Sequence, residues 1–265
     1  MPAGDDVKRH AQARFAQFAQ HYVTSASHAK GADLGRLLEL AQPQPNQRML
    51  DIATGGGHTT LKFAPHVGQV IALDLTPPML ATARDFVLGQ GGSNITFAAG
   101  DAENLPFARD SFDLVTCRIA PHHFPDCFRF VQECARVLSP DGRLLVEDHL
   151  APDDERAARY VNALERLRDP SHQRIYADYE WRGMFLDAGL AVEHTETLVK
   201  PDTKLVPWAE RQGCSAAVIE RLQVLLAQAP AAVADWMRPQ CVGTADAAFD
   251  HHYIIIVGSK GAGDG

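Results

Sequence analysis

The sequence predicts an α/β fold built on a largely parallel sheet. Short β-branched and aliphatic runs alternate with helix-length segments from residue 48 onward. No tight Asn-Gly hairpin joins them, and the first run ends in a glycine-rich turn that opens a helix. Strand, helix and strand in repetition require parallel strands with right-handed crossovers.

Each element has its own signal. Val7, Ala11, Phe15, Phe18 and Tyr22 recur at spacings of three and four, which predicts an amphipathic helix over about residues 6–21. A second helix is expected over Ala32–Ala41 and stops at Gln42-Pro43-Gln44-Pro45, where two prolines end helical hydrogen bonding. The strand runs follow at Arg48–Ile52, Gln69–Leu73, Asn94–Ala98, Phe112–Cys117 and Arg143–Glu147. Thr76 is expected to cap a helix that has Pro77 at its first position. Farther on, Glu180–Ala188 reads as helix and Leu190–Leu198 as strand. Val218–Ala227 reads as helix, with Val218, Leu222, Leu225 and Leu226 on one face, and His252–Val257 as a last strand. Residues 200–248 are expected to form a helical insertion before that strand. Trp181 and Phe185, one helical turn apart, read as core.

The chain carries 33 acidic and 25 basic residues, a formal net charge of −8, which disfavours a broad grip on nucleic acid or anionic lipid. Five cysteines without a CxxC pair form neither a disulfide framework nor a zinc ribbon, and read as apolar filler. The first residues lack the apolar core of a signal peptide. No apolar run approaches the roughly 18 residues that a membrane span needs. The expectation is a cytoplasmic protein with no membrane span and no nucleic-acid partner.

The chemistry concentrates at Met49-Leu-Asp-Ile-Ala-Thr-Gly-Gly-Gly-His58. A strand enters a turn in which Gly55 and Gly57 can take positive φ, and a helix start at Thr59 or Thr60 offers free N–H groups. Such a turn accepts a dinucleotide phosphate or the amino-acid end of a nucleoside ligand. Asp51 immediately before it repels a phosphate but suits an ammonium group. Asp74 ends the second strand, where a carboxylate can accept both hydroxyls of a ribose, with Leu75 beside it and Met79 placed to lie on a purine face. Asp101 and Ala102 follow the third strand and offer an acceptor for an exocyclic amine and a donor for a ring nitrogen. An amine, a ribose and an adenine together describe S-adenosylmethionine.

On these residues the sequence resembles the class I S-adenosylmethionine-dependent methyltransferases, most of all the ubiquinone/menaquinone C-methyltransferase-like branch. The resemblance covers roughly Tyr22 to Gly189. Asp51-Ile-Ala-Thr-Gly-Gly-Gly57 stands for the family's acidic glycine loop, Asp74 for its ribose acid and Gly100-Asp101-Ala102 for its adenine turn. Phe112-Asp-Leu-Val-Thr-Cys-Arg118 stands for the fourth strand, and Leu138 to Val146 for the turn and fifth strand. Ala53 departs from the usual glycine and fits if its φ is negative. The resemblance implies a single Rossmann-like domain over residues 1–265. Its seven-stranded sheet would have the order 3-2-1-4-5-7-6 with strand 7 antiparallel, and helices on both faces. It implies a helical lid over residues 7–45, with Tyr22, Ser25 and His28 near the donor, and it implies Arg118 as a further donor contact. S-adenosylmethionine is the expected cofactor and a small molecule the expected methyl acceptor.

Methyl transfer from a sulfonium needs an aligned nucleophile, exclusion of water and removal of a proton where the acceptor has one. His122 and His123, just past the fourth strand, and His149, at the end of the fifth, are the candidate acid–base groups. The adjacency of His122 and His123 disfavours joint chelation, no third ligand is evident, and no metal is expected. Arg166–His172 reads either as a substrate mouth or as a solvated loop, and His251 and His252 read as structural. Two other readings stand beside the methyltransferase. A nicotinamide-dependent oxidoreductase would use Gly55-x-Gly57-x-x-Thr60 as a loose fingerprint, and a non-catalytic protein would bind the donor as a sensor or scaffold.

Overall fold

The structure is a computed structural model that describes residues 3–24 and 32–262. Helices α1 (Ala3–Thr24) and α2 (Ala32–Ala41) precede the sheet. Strand β1 (Arg48–Ile52) leads into α3 (His58–Phe63), and β2 (Gln69–Asp74) into α4 (Pro77–Gly89). After β3 (Ile95–Ala99) and β4 (Phe112–Arg118), Pro121–His123 makes one 3₁₀ turn before α5 (Cys127–Val137). Then come β5 (Leu138–His149), α6 (Glu155–Arg168) and α7 (Asp178–Asp187). Strand β6 (Leu190–Lys204) is separated from β7 (Ala248–Lys260) by α8 (Leu205–Glu210), α9 (Ala216–Ala227) and α10 (Ala231–Met237).

The seven strands form one sheet in the order β3-β2-β1-β4-β5-β7-β6, the order expected from the resemblance. The first five pair in parallel, and β7 runs antiparallel to both β5 and β6. Strand alternation splits the central side chains between two faces. Leu50, Val115, Val146 and Ile256 pack with Phe130 of α5 and Trp181 and Phe185 of α7. Met49, Leu114, Leu145 and Ile255 pack on the other side with Leu37 of α2 and Phe63 of α3. Burial on both faces is why these strands read as unbroken apolar runs. A third core packs α6, α8, α9 and α10 against Phe249 of β7.

Several boundaries differ from expectation. β5 begins at Leu138, because Leu138 pairs with Phe112 ahead of a register shift, so the segment read as a turn is already strand. β7 begins at Ala248, four residues before the expected start, and β6 runs to Lys204, which leaves residues 205–247 between them. α1 starts at Ala3 and α3 at His58. Thr76 holds the N-cap position of α4, yet its side chain makes no cap. Its own N–H donates to Asp74 Oδ1 at 2.9 Å instead.

Candidate active site

A pocket opens where the carboxyl ends of β1 to β4 face α1. Asp51, Ala53, Gly55, Asp74, Leu75, Met79, Asp101, Ala102, Arg118 and His123 all line it. These residues come from separate loops, and parallel strands bring them together because every strand end lies on the same edge of the sheet.

Asp51 is buried and accepts three hydroxyls: Thr54 at 2.8 Å and Thr60 at 2.7 Å on Oδ2, and Thr116 at 2.9 Å on Oδ1. Burial raises its carboxyl pKa and the three hydroxyls oppose the rise. Asp74 accepts Gly55 N–H at 3.0 Å on Oδ2 and Thr76 N–H on Oδ1. Each oxygen keeps a second lone pair, so two acceptor sites remain for a diol. Asp101 is engaged from two sides: Lys8 Nζ of α1 donates to Oδ2 at 2.7 Å, and Glu103 N–H to Oδ1 at 2.9 Å. Lys8 also pairs with Glu103. Gln12 of α1 donates to the Leu75 carbonyl at 2.7 Å. Lys8, Gln12 and Phe15 belong to the pocket lining and were missed in the sequence, where they read as an ordinary amphipathic helix.

One expectation is corrected here. Ala53 has φ of +53°, not the negative value its methyl group would prefer. An L-residue in the left-handed region costs about 1–2 kcal/mol. Thr54 N–H donating to the Leu73 carbonyl at 2.9 Å pins the turn next to it. Gly57 does have positive φ but stands outside the lining. A Cβ there would lie 2.7 Å from Val87, so this glycine lets α3 and α4 pack closely. His122 and His149 also stand outside the lining, behind His123. The Tyr22 side chain, Ser25 and His28 lie outside the described residues.

Arg118 ends β4 and donates to Asp33 of α2 at 2.9 Å and to Thr59 at 3.1 Å. It stands 4.0 Å from the buried Glu147, whose carboxyl is pushed well up by burial against the pull of Arg118. The next residue, Ile119, lines the pocket at φ of +51°, an outlier for a β-branched side chain, with its N–H donating to the Glu147 carbonyl at 2.7 Å. Strain therefore sits where the chain turns from β4 toward His122 and His123.

Behind that turn lies a cluster of five histidines, of which His122, His149, His172 and His251 are buried and His123 is half-buried at the pocket. His122 stacks on His149, with centroids 4.4 Å apart, and lies 4.0 Å from His123 and 5.6 Å from His172. His149 lies 4.4 Å from His251. Asp148 orients His122 rather than its own neighbour His149: its oxygens take His122 Nδ1 at 2.6 Å and His122 N–H at 2.8 Å. Burial opposes a charge on His122, but the charge and hydrogen bond of Asp148 raise its pKa above the usual imidazole value. Burial together with His122 pushes His123 and His149 well below it, and His172 down to about 4. His123 Nδ1 meets Ser171 Oγ at 3.2 Å, and that hydroxyl donates to Asp169 at 2.6 Å. Arg166–His172 is thus no solvated loop, since Asp169, Ser171 and His172 are buried against the cluster. His251 also belongs to the cluster, whereas His252 stacks on Trp236 and contacts its carbonyl. Cys117, Cys127 and Cys134 are buried, and burial raises their thiols well above the usual value, as inert filler requires.

Comparison with known proteins adds a consistent picture. Residues 50–146 match the family described as "Methyltransferase domain". The "Uncharacterized methyltransferase YcgJ" of Bacillus subtilis is 42% identical over 202 residues, which cover 76% of this chain and 79% of that protein. Its crystal structure superposes with a TM-score of 0.82 at 37% identity, covering 88% of this chain and 99% of that one. The BH2331 protein of Bacillus halodurans C-125 gives a TM-score of 0.84 at 34% identity, over 88% of this chain and all (100%) of that one. The ubiquinone/menaquinone biosynthesis C-methyltransferase UbiE of Ectopseudomonas mendocina is 37% identical over 126 residues, 46% of this chain and 49% of that protein.

Proposed function

Because the chain belongs to the class I methyltransferase family, we propose that it transfers a methyl group from S-adenosylmethionine to a small-molecule acceptor. The observation that carries this reading is the row of carboxylates Asp51, Asp74 and Asp101 at three successive strand ends around one pocket. The residues fit the donor. Asp74 has two open acceptor sites for a ribose, Met79 and Ala102 line the wall, and Asp51 is locked in place by three hydroxyls for an ammonium partner, directly or through water. A nucleotide pyrophosphate would meet Asp51 and Asp74 at the turn, where like charges repel.

When bound, S-adenosylmethionine supplies an already activated methyl group for in-line displacement. The chain's own residues bind it, cover it and handle the acceptor's proton. His123 is the group for that last task. The single proton of Ser171 goes to Asp169, so Ser171 Oγ can only accept from His123 Nδ1–H. His123 Nε2 then carries a lone pair, and a ring kept neutral by burial is ready to take a proton. His122, held by Asp148, and His149 act from behind as positioning residues. The net charge of −8 favours a small molecule over nucleic acid as acceptor. Among the described residues no single helix is long and apolar enough to cross a membrane. Five free cysteines favour a reducing, cytoplasmic setting.

Calorimetric titration tests the reading. S-adenosylmethionine or its demethylated product should bind saturably, and Asp74→Ala should weaken binding by about 1–3 kcal/mol through loss of the diol acceptor. Absence of heat up to millimolar ligand, or an unchanged affinity in the variant, overturns it.

A further inference from the structure

We propose that His149, Glu165 and His251 form a binding site for one divalent first-row transition-metal ion. Three elements meet there: the end of β5, the last turn of α6 and the start of β7. The antiparallel register places His149 opposite Tyr253, and alternation puts His251 on the same face as Tyr253. One ligand atom from each of the three residues lies within 4.8 Å of the others. His251 Nε2 stands 3.1 Å and His149 Nδ1 3.9 Å from the same oxygen, Glu165 Oε1. Metal–ligand bonds of about 2.0–2.2 Å at tetrahedral angles separate ligand atoms by roughly 3.3–3.6 Å, so the widest pair, within 4.8 Å, closes by up to about 1.5 Å to complete the set.

Three further observations point to a ligand rather than a closed hydrogen-bond network. His149 Nδ1 is buried and has no hydrogen-bond partner, which is costly unless something binds it. The flanking groups are those that orient metal ligands: Tyr253 Oη lies 3.1 Å from His251 Nδ1, and Arg168 lies 3.5 Å from the second oxygen of Glu165. The donor set of two imidazoles and one carboxylate also suits transition ions better than magnesium or calcium, which prefer all-oxygen shells. Three protein ligands leave at least one position for an exogenous group. The stack His149–His122–His123 connects the site to the pocket wall.

The test needs neither methyl donor nor acceptor, so its failure and that of the methyltransferase reading are separable. Tag-free protein is stripped with a chelator and titrated with zinc(II) or cobalt(II) alone. One ion per chain is expected. Cobalt should give the visible spectrum of a low-coordinate nitrogen–oxygen site, and a zinc-edge anomalous peak should fall between the three side chains. Glu165→Gln and His149→Ala should each weaken binding by at least about tenfold. Circular dichroism checks their folding. Should either variant fail to fold, Tyr253→Phe keeps all three ligands and should still weaken binding about tenfold. Sub-stoichiometric binding to the wild type, or affinity unchanged in folded variants, overturns the proposal.

Discussion

At the residue scale, proton ownership decides which histidine can act. His122 is held toward its charged form by Asp148, while His123 is held neutral by burial with His122 beside it, against the opposing pull of Asp169. Long-range nitrogen–proton NMR should therefore show His123 as the Nδ1–H tautomer, titrating well below the usual imidazole value. Ser171→Ala should shift both its tautomer balance and its titration. Once an acceptor is known, a base that works only when neutral should give a rate flat through neutrality that falls as pH drops through the depressed His123 value. His123→Ala should lower kcat about 10²–10⁴-fold with donor affinity unchanged. A His123 that titrates normally as the other tautomer would remove it as the base.

At the scale of elements, α5 holds the turn that follows Asp101 and Ala102. Glu133 accepts Leu105 N–H at 2.9 Å and pairs with Arg136, whose guanidinium donates to the Leu105 and Phe107 carbonyls. The Arg136 hydrogen bonds lower the Glu133 pKa, even though burial opposes them. The folded value thus lies below the unfolded one, near 4.3. The stabilisation is complete above that unfolded value and disappears as pH falls through the folded one. Glu133→Gln should cost about 1–3 kcal/mol in urea unfolding at pH 7, and the gap to wild type should narrow below about pH 4.3. A gap independent of pH would show that the charge plays no part.

At the scale of the whole molecule, α1 is a strap across the sheet's carboxyl edge. Lys8 ties it to Asp101 and Glu103, Gln12 to the end of β2, and Arg14 to Asp169 and the Gln212 carbonyl beyond α8. Lys8 of the strap sits on an oxygen of Asp101, the carboxylate proposed to receive the donor's adenine amine. Lys8→Met should raise the donor's dissociation rate about tenfold in stopped-flow fluorescence, the equivalent of one charge-assisted hydrogen bond of ~1.4 kcal/mol. An unchanged rate would mean that the strap does not close the pocket.

Residues adjacent in sequence were legible where one element carries the signal. Asp51 with its glycine turn, Asp74, and Asp101-Ala102 each sit at a strand end, and strand ends can be read from local pattern and punctuation. The helix over Ala32–Ala41 was legible for the same reason. Ala53 was misjudged because its φ is set by the hydrogen bond of Thr54 to a neighbouring strand. Lys8 and Gln12 show only helical periodicity until the helix is docked. Ser171 and Asp169 looked like a solvated loop until packing buried them. By itself, therefore, the sequence determined the alternation of elements, the parallel pairing it requires and the acidic edge of the pocket, since those depend on short-range periodicity and turn chemistry, while the strand order was implied by the family resemblance. Only the tertiary structure decided which histidine faces the pocket, which carboxylate serves which ring, and that His149, Glu165 and His251 meet, because contacts between residues so far apart in the chain exist only once the sheet, the helix and the antiparallel return strand have packed.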